Sequence, residues 1–340
     1  MKFDLKKNKV NSLSFSFILL ASLLILVASF FLAVVFGAAE ISAAQVWQAL
    51  TASGTGDDIL IIQEIRLPRA VAAVVVGAAL AVAGAIMQGM TRNPLADPGL
   101  FGLTAGANAA LALAIALFPA LNYFGNILAS FIGAAVGAGL VFGISSLNKK
   151  GFSPFRIVLA GSAVSTFLYA LAKGISLYFQ ISKNVSMWTA GGLVGISWTQ
   201  LKLIIPFVLV GLAATFFLSR QLTILSLKEE IAVGLGQNIF RIKVFLFIII
   251  IVLTGASVAL VGNIVFLGLM IPHIVRAAVG RDYRFVLPLS ALSGSAFMLL
   301  ADLLARTINA PYETPVVAVV AMLGLPFFLI IVNKRRRDFA

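Results

Sequence analysis

Long apolar blocks, separated by short polar segments, run along almost the whole chain. Ten of them are recognised, near residues 13–36, 70–90, 99–118, 124–146, 155–178, 200–219, 243–262, 263–280, 285–305 and 314–332. A helix needs about 20 predominantly apolar residues to cross the hydrocarbon core of a bilayer. The pattern therefore predicts an all-α, polytopic membrane protein with ten transmembrane helices.

The division between the seventh and eighth spans depends on charge. Residues 242–271 are almost continuously apolar and only Gly262-Asn263 interrupts them, so hydropathy alone permits nine spans. Lys and Arg concentrate in cytoplasmic loops. Ten spans with a cytoplasmic N-terminus place nineteen of the 25 basic residues inside, whereas nine would move those at 276–284 and at the C-terminus outside. We therefore predict ten spans with both termini cytoplasmic, the first helix remaining uncleaved.

Composition removes several classes of function. With 61% hydrophobic and 11% charged residues, the chain does not have the composition of a water-soluble globular domain. The net charge of +13 follows the predicted topology and forms no basic groove with interleaved aromatic residues, which argues against nucleic-acid binding. The chain has no cysteine, so disulfides, thiolate metal sites and cysteine nucleophiles are excluded.

All loops are short, and we predict a single transmembrane domain over residues 1–340. The longest cytoplasmic loop, about 220–241, has room for one or two small helices but for no catalytic domain. No G-x-x-x-x-G-K-[ST] phosphate-binding loop occurs in the sequence. Any step driven by ATP would therefore need a partner subunit.

Ordered motifs occur from the second span to the last. They are Arg66-Leu67-Pro68-Arg69, Gly77-Ala78-Ala79-Leu80, Gln88, the segment 92–98 (RNPLADP), the segment 262–276 (GNIVFLGLMIPHIVR) continuing to 280–284 (GRDYR), Leu287-Pro288, the segment 301–306 (ADLLAR), the segment 313–317 (ETPVV) and the segment 324–328 (GLPFF). Together they closely resemble the FecCD-type permeases of bacterial ABC importers, which carry iron-siderophores, haem or vitamin B12. Two positions depart from the family pattern: Tyr283 replaces an expected His, and Thr314 replaces an expected Leu.

This resemblance implies a vitamin-B12-permease-like fold and a permease subunit of an importer in the bacterial cytoplasmic membrane, with an iron-siderophore or a related chelate as cargo. Its implied partners are a second permease subunit, identical or related, two cytoplasmic ATPase subunits that use the ATP, and an extracytoplasmic substrate-binding protein. The chain itself would be non-catalytic and would bind no cofactor.

The resemblance also implies roles for residues at both ends of the bundle. On the outer face, Arg66, Arg69 and Arg306 would meet acidic residues of the binding protein, the alternative being arginines that snorkel at the membrane surface. On the inner face, the residues expected to couple to the ATPase are Glu229, Glu230, Ala232, Gly234, Leu235 and Gly236. The alternative for that segment is an ordinary interfacial helix between two spans.

Two further groups are expected to border the transport pathway. Arg92, Asn93 and Pro94 would contribute to the inner gate or to ATPase contacts, together with the basic turn at 148–156, unless these are solvated positive-inside loops. In the fifth span, the small and mildly polar residues Gly161, Ser162, Ser165 and Thr166 are pore-lining candidates. Close helix packing is the default explanation of such a face.

Two ionisable residues within the spans have structural explanations. One histidine alone, His273, does not make a metal site, and we expect it to satisfy local hydrogen bonds. Asp302 lies one helical turn before Arg306, so an ion pair at i, i+4 is favoured over proton transport.

Other functions and an internal repeat stay open at this point. An ion-gradient-driven secondary transporter is the alternative function, although it would be expected to carry coupling-ion ligands near the midplane. A membrane-embedded enzyme would need a convergent set of catalytic groups, and the sequence offers none. The similarity of residues 77–84 to residues 255–262 suggests two inverted halves of five helices each.

Overall fold

The computed structural model describes residues 12–37, 43–50, 56–146, 154–190, 192–227, 229–310 and 312–338. All of the regular structure in these ranges is helical. The helices are α1 (Ser12–Val35), α2 (Ala43–Leu50), α3 (Asp57–Leu60), α4 (Leu67–Thr91), α5 (Leu103–Leu117), α6 (Tyr123–Ser146), α7 (Pro154–Tyr178), α8 (Ser182–Ala190), α9 (Trp198–Phe217), α10 (Ser219–Leu227), α11 (Glu229–Gly234), α12 (Ile239–Val261), α13 (Leu267–Val279), α14 (Tyr283–Thr307) and α15 (Val316–Asp338). A π-helical turn, Ile61–Arg66, joins α3 to α4, and a 3-10 turn, Pro98–Phe101, precedes α5.

Each of the ten predicted spans corresponds to one helix: in order α1, α4, α5, α6, α7, α9, α12, α13, α14 and α15. Among the described residues, α1, α4 with the turns before it, α6, α9, α12 and α14 are long and apolar enough to cross a membrane. Helix α13 has only 13 residues. At about 1.5 Å per residue it rises about 20 Å, less than the hydrocarbon thickness of about 30 Å. The structure is therefore compatible with ten spans, but α13 does not cross the bilayer as a helix alone.

The predicted break between the seventh and eighth spans is present. Helix α12 ends at Val261, and Gly262 follows with φ 73°. Phe266 precedes α13 with φ 68°, a left-handed conformation that is uncommon for a bulky residue. The apolar run at 242–271 is therefore two helices joined by an irregular segment.

Helix α4 is the centre of the bundle. It buries 21 of its 25 residues and packs against α9, α10, α12, α13 and α14. Its small residues allow this crowding, and a Cβ atom added to Gly84 would lie 1.9 Å from the carbonyl oxygen of Gly268 in α13. Gln88 also joins the two helices, because its side-chain amide donates hydrogen bonds to the carbonyls of Gly268 and Leu269, each at 3.1 Å.

Helices α5 and α6 form a second close pair. A Cβ atom at Gly106 would lie 2.1 Å from the carbonyl oxygen of Gly133, and one at Gly133 would lie 2.3 Å from that of Gly106. This is the small-residue contact typical of helices that associate in lipid. Helix α7 packs on this pair and on the 3-10 turn before α5.

The outer surface carries many large apolar side chains. Examples with more than half of the side chain exposed are Phe17, Leu24, Ile132, Phe167 and Val210, on α1, α6, α7 and α9. A soluble monomer rarely exposes contiguous apolar area on this scale. These faces are suited to lipid or to another transmembrane subunit.

Candidate functional site

Arg66 and Arg69 lie within a continuous helical segment rather than before a span. Helix α3, the π-helical turn and α4 together run from Asp57 to Thr91. The second predicted span therefore begins well before residue 70, and both arginines sit on its buried side, at 5% and 6% exposure. Burying two guanidinium groups is costly unless other groups pair with them.

Asp302 supplies most of that pairing. Its two carboxylate oxygens accept from Arg69 Nε at 3.0 Å, and one of them also accepts from Arg69 Nη2 at 2.9 Å. Asp302 also pairs with Arg306 Nε at 3.1 Å, one turn later on α14. The remaining nitrogen of Arg69, Nη1, donates to both oxygens of Glu313 at 2.8 and 2.9 Å. We call Arg66, Arg69, Asp302, Arg306 and Glu313 the charge cluster.

The charge cluster also caps the end of α1. Arg66 Nη1 donates to the carbonyls of Val34 and Val35 at 2.9 and 2.6 Å, and Arg306 Nη2 donates to that of Ala33 at 2.9 Å. The last carbonyls of a helix have no partner within the helix, and basic side chains are suitable donors for them. The cluster thus ties α1, α4, α14 and the segment before α15 together.

The prediction that Asp302 pairs with Arg306 is confirmed, and Arg69 is an additional partner. The alternative in which these arginines snorkel at the membrane surface is wrong, because Arg66, Arg69 and Arg306 are all at most 6% exposed. Docking of a binding protein by the three arginines stays a prediction. Such docking has to act through Glu313, whose side chain is 34% exposed, or through a rearrangement that uncovers the arginines.

The predicted coupling segment consists of α10, α11 and a turn. Ala232 is completely buried, whereas Ile231, Val233 and Leu235 expose 44%, 61% and 63% of their surface. Glu230, Gly234 and Gly236 are also exposed, and the side chain of Glu229 is outside the described residues. Gly236, at φ 75°, lies in the turn that ends the segment. The result is a short helix that presents apolar residues at the end of the bundle.

The segment predicted as inner gate forms two compact turns after α4. Arg92 ends α4 in a left-handed conformation with φ 53°, and Asn93 Oδ1 accepts from the amide of Leu95 at 3.0 Å. Asp97 Oδ1 accepts from the amide of Gly99 at 2.8 Å. Burial raises the pKa of the Asp97 carboxyl to about 6, against the lowering effect of that hydrogen bond. Most of the basic turn predicted at 148–156 lies outside the described residues.

The pore-lining candidates occupy α7, and most of them are exposed in this single chain. Gly161 is buried, Ser165 is half-buried, and Ser162 and Thr166 are exposed. Their exposed face continues one turn further with Ala170. A weakly polar face of this kind suits either water or the close approach of a second subunit.

His273 has a packing role in the structure. Its ring lies edge-on to that of Phe327, with centroids 5.8 Å apart. In the described part of the chain, no group of three or more His, Cys, Asp or Glu side chains is placed to hold a metal ion. His273 also borders a cavity of about 350 Å³, beside Gln88, Arg276 and Tyr283, which the sequence did not predict. The only signal in the sequence was that these residues lie in the motifs that resemble the FecCD-type permeases.

Comparison with known proteins covers nearly the whole chain. The profile of the FecCD transport family matches residues 24–334. The chain belongs to the FecCD transport family. The iron(3+)-hydroxamate import system permease protein FhuB of Bacillus subtilis (strain 168) is 43% identical over 321 residues, covering 94% of this chain and 84% of FhuB. The iron-uptake system permease protein FeuB of the same organism is 40% identical over 319 residues, covering 94% and 96%.

A solved structure has a similar fold. An inward-facing conformation of a putative metal-chelate type ABC transporter superposes with a TM-score of 0.80 at 29% identity, covering 94% of this chain and all of the other. As a FecCD-family member, this chain is a membrane transport permease. The expectation of the family from the ordered motifs is confirmed.

Proposed function

We propose that this chain is the permease subunit of a bacterial ABC importer and forms the translocation pathway for an iron-siderophore or a related chelate. The observation that carries the proposal is the family match over residues 24–334, together with relatives named as iron-hydroxamate and iron-uptake permeases. The fold shared with a metal-chelate type ABC transporter supports the same assignment.

Energy enters this proposed importer through α11. The sequence has no phosphate-binding loop, and the exposed apolar residues Ile231, Val233 and Leu235 offer an anchor for a groove on an ATPase subunit. Buried Ala232 fixes the back of the helix against the bundle. Movement of the ATPase subunits would in this way reach α10 and α12.

Two other surfaces of the chain would contact the remaining partners. The exposed face of α7 would line the pathway at an axis shared with a second permease subunit. The charge cluster would lie under the substrate-binding protein on the outer side, and its three arginines outnumber its two carboxylates. Charges at such an interface mainly affect orientation and association rate.

Reconstitution into proteoliposomes tests this function. The chain is combined with its cognate ATPase and binding protein, and uptake of a radiolabelled ferric hydroxamate is followed. We expect uptake to require ATP hydrolysis and to survive collapse of the ion gradients by ionophores. Uptake by the chain without an ATPase, or uptake lost with the gradient, would instead support a secondary transporter.

A pair of substitutions tests the role of α11. Leu235→Asp should abolish co-purification of the ATPase subunits and uptake, because it places a carboxylate in an apolar contact. Val194→Asp is the matched control, since Val194 is 67% exposed and lies in the connection between α8 and α9. If both variants retain the ATPase, α11 is not the anchor.

A further inference from the structure

A basic cavity lies where α4 ends and α14 begins. Its volume is about 350 Å³, and α4, α10, α13 and α14 with their connecting segments form its walls. Its lining includes Gln88, Arg92, Ser226, Arg276, Arg281 and Tyr283. Charge distribution assigns this end of the bundle to the cytoplasm.

Two of the arginines that line the cavity, Arg276 and Arg281, have no counter-charge among the described residues. Three arginines line it, and its lining includes no carboxylate. In the described part of the chain, neither Arg276 nor Arg281 forms an ion pair, and the buried Nη1 atom of Arg276 has no hydrogen-bond acceptor. Unpaired buried guanidinium donors are costly, so an anion supplied from outside would be stabilising.

Arg276 is held in place by neutral groups. The amide nitrogen of Gln88 donates to two carbonyls of α13, which turns its oxygen toward Arg276 Nη2 as an acceptor. Tyr283 is the other polar neighbour of Arg276, and it is 3% exposed. Its ring is packed so closely on α4 that a Cβ atom at Gly89 would lie 2.7 Å from its hydroxyl. The guanidinium is thus oriented but not neutralised.

We propose that this cavity binds a phosphate-type oxyanion, either inorganic phosphate or the headgroup phosphate of an anionic lipid. The planar guanidinium fork matches the geometry of phosphate oxygens, and charge-assisted hydrogen bonds of this kind are strong. Ser226 and Tyr283 also line the cavity. The ligand is an oxyanion with several acceptor oxygens, because Arg276 and Arg281 line one space and neither forms an ion pair in the described part of the chain.

The cavity lies beside the segments to which the proposed function gives roles in gating and in coupling to the ATPase. Arg92 belongs to the segment predicted as inner gate, and Ser226 lies in α10, directly before α11. Helix α10 also contacts the start of α14, because the Thr223 hydroxyl donates to Asp282 and accepts from the amide of Tyr283. The cavity does not include α7, the helix of the pore-lining candidates.

Thermal stability of the full chain in nanodiscs tests the site. Inorganic phosphate is titrated against chloride at matched ionic strength, first in discs of phosphatidylcholine alone and then in discs that also contain phosphatidylglycerol. One expected result is that phosphate raises the melting temperature saturably in the discs of phosphatidylcholine alone. The other is that the chain retains phosphatidylglycerol, and that this bound lipid prevents stabilisation by phosphate. The first result identifies free phosphate as the ligand, and the second identifies the lipid headgroup.

Substitutions decide whether the signal comes from this cavity. Arg276→Gln and Arg281→Gln should each weaken binding roughly tenfold or more, as expected for loss of a charge-assisted bond. Arg281 is exposed, so its variant keeps the test valid if Arg276→Gln does not fold. Arg241→Gln removes an exposed charge at the start of α12 and should change nothing. The proposal is overturned if neither ligand binds, or if Arg241→Gln weakens binding as much as the cavity variants do.

Discussion

At the scale of single residues, the charge cluster shows how a membrane bundle accommodates buried ions. Asp302 is 1% exposed and neutralises two guanidinium groups, while Glu313 is partly exposed and, among the described residues, forms an ion pair with Arg69 alone. Removing one partner of a buried pair leaves the other charge uncompensated, whereas an exposed partner is replaced by water. The two carboxylates should therefore differ greatly in their contribution to stability.

Asp302→Asn tests this difference. We expect it to destabilise the folded chain by about 3–5 kcal/mol, because it leaves Arg69 and Arg306 without their shared counter-charge. Glu313→Gln should cost no more than about 1 kcal/mol. Unfolding in detergent, followed by circular dichroism, provides the comparison. Equal effects of the two variants would contradict the assigned roles.

Asp97 makes stability depend on pH. Its pKa of about 6 in the folded chain exceeds the usual value of 3.8, so the folded state binds more protons between these values. Stability should therefore fall as pH rises from about 4 to about 7.

Asp97→Asn removes this dependence while keeping the acceptor for the amide of Gly99. At pH 7 the variant should be more stable than the parent by about 1–3 kcal/mol, and at pH 4 the two should be similar. Melting temperatures over this pH range in one detergent give the result. If the difference in melting temperature between variant and parent grew toward low pH instead, Asp97 would be stabilised as the carboxylate.

At the scale of helices, close contact at small residues organises the interior. Helix α4 approaches α13 at Gly84 and Gly268, and α5 approaches α6 at Gly106 and Gly133. Lipid supplies no hydrophobic driving force between helices, so van der Waals contact and interhelical hydrogen bonds such as those of Gln88 hold them together. Positions without such neighbours should tolerate a methyl group.

Gly84→Ala and Gly139→Ala form a matched pair. The first places a Cβ atom 1.9 Å from a backbone oxygen, and the second, on the exposed side of α6, meets nothing within 4 Å. We expect Gly84→Ala to destabilise the chain by about 1–3 kcal/mol through overpacking. Gly139→Ala should be neutral or stabilising by up to about 1 kcal/mol. Similar melting temperatures for the two variants would rule out a tight contact between α4 and α13.

At the scale of the whole molecule, the single chain leaves surfaces that an assembly would cover. Helix α7 exposes a weakly polar face with Ser162 and Thr166, whereas α9 exposes large apolar residues such as Leu209. Water in a pathway and lipid at the periphery are different surroundings. Because the chain has no cysteine of its own, the reactivity of single introduced cysteines can distinguish these surroundings.

Single cysteines report on these surroundings. In the assembled transporter, Ser162→Cys and Thr166→Cys should react with a charged methanethiosulfonate, and ATP with vanadate should change their rates. Val164→Cys, at a position that is 7% exposed, and Leu209→Cys, on the apolar face of α9, should be slow. Unreactive cysteines at both 162 and 166 would mean that this face is packed against protein.

The sequence determined the class of protein, the order of the helices that correspond to the ten predicted spans, and the break at Gly262. These follow from local properties: apolar length, the distribution of basic residues and the conformational freedom of one glycine. The family was also recognisable, because most of its motifs are short runs of neighbouring residues. The pairing of Asp302 with Arg306 was predictable since both lie on one turn of one helix.

Only the tertiary structure decided which distant residues meet. Arg69 reaches Glu313 across 244 positions, and Gln88 meets Arg276 across 188. A linear pattern contains no information about which faces of two helices touch, so the sequence did not show that Arg66, Arg69 and Arg306 are buried. Their docking role stays a prediction. The basic cavity has the same origin, because α4, α10, α13 and α14 enclose it only when the bundle has formed.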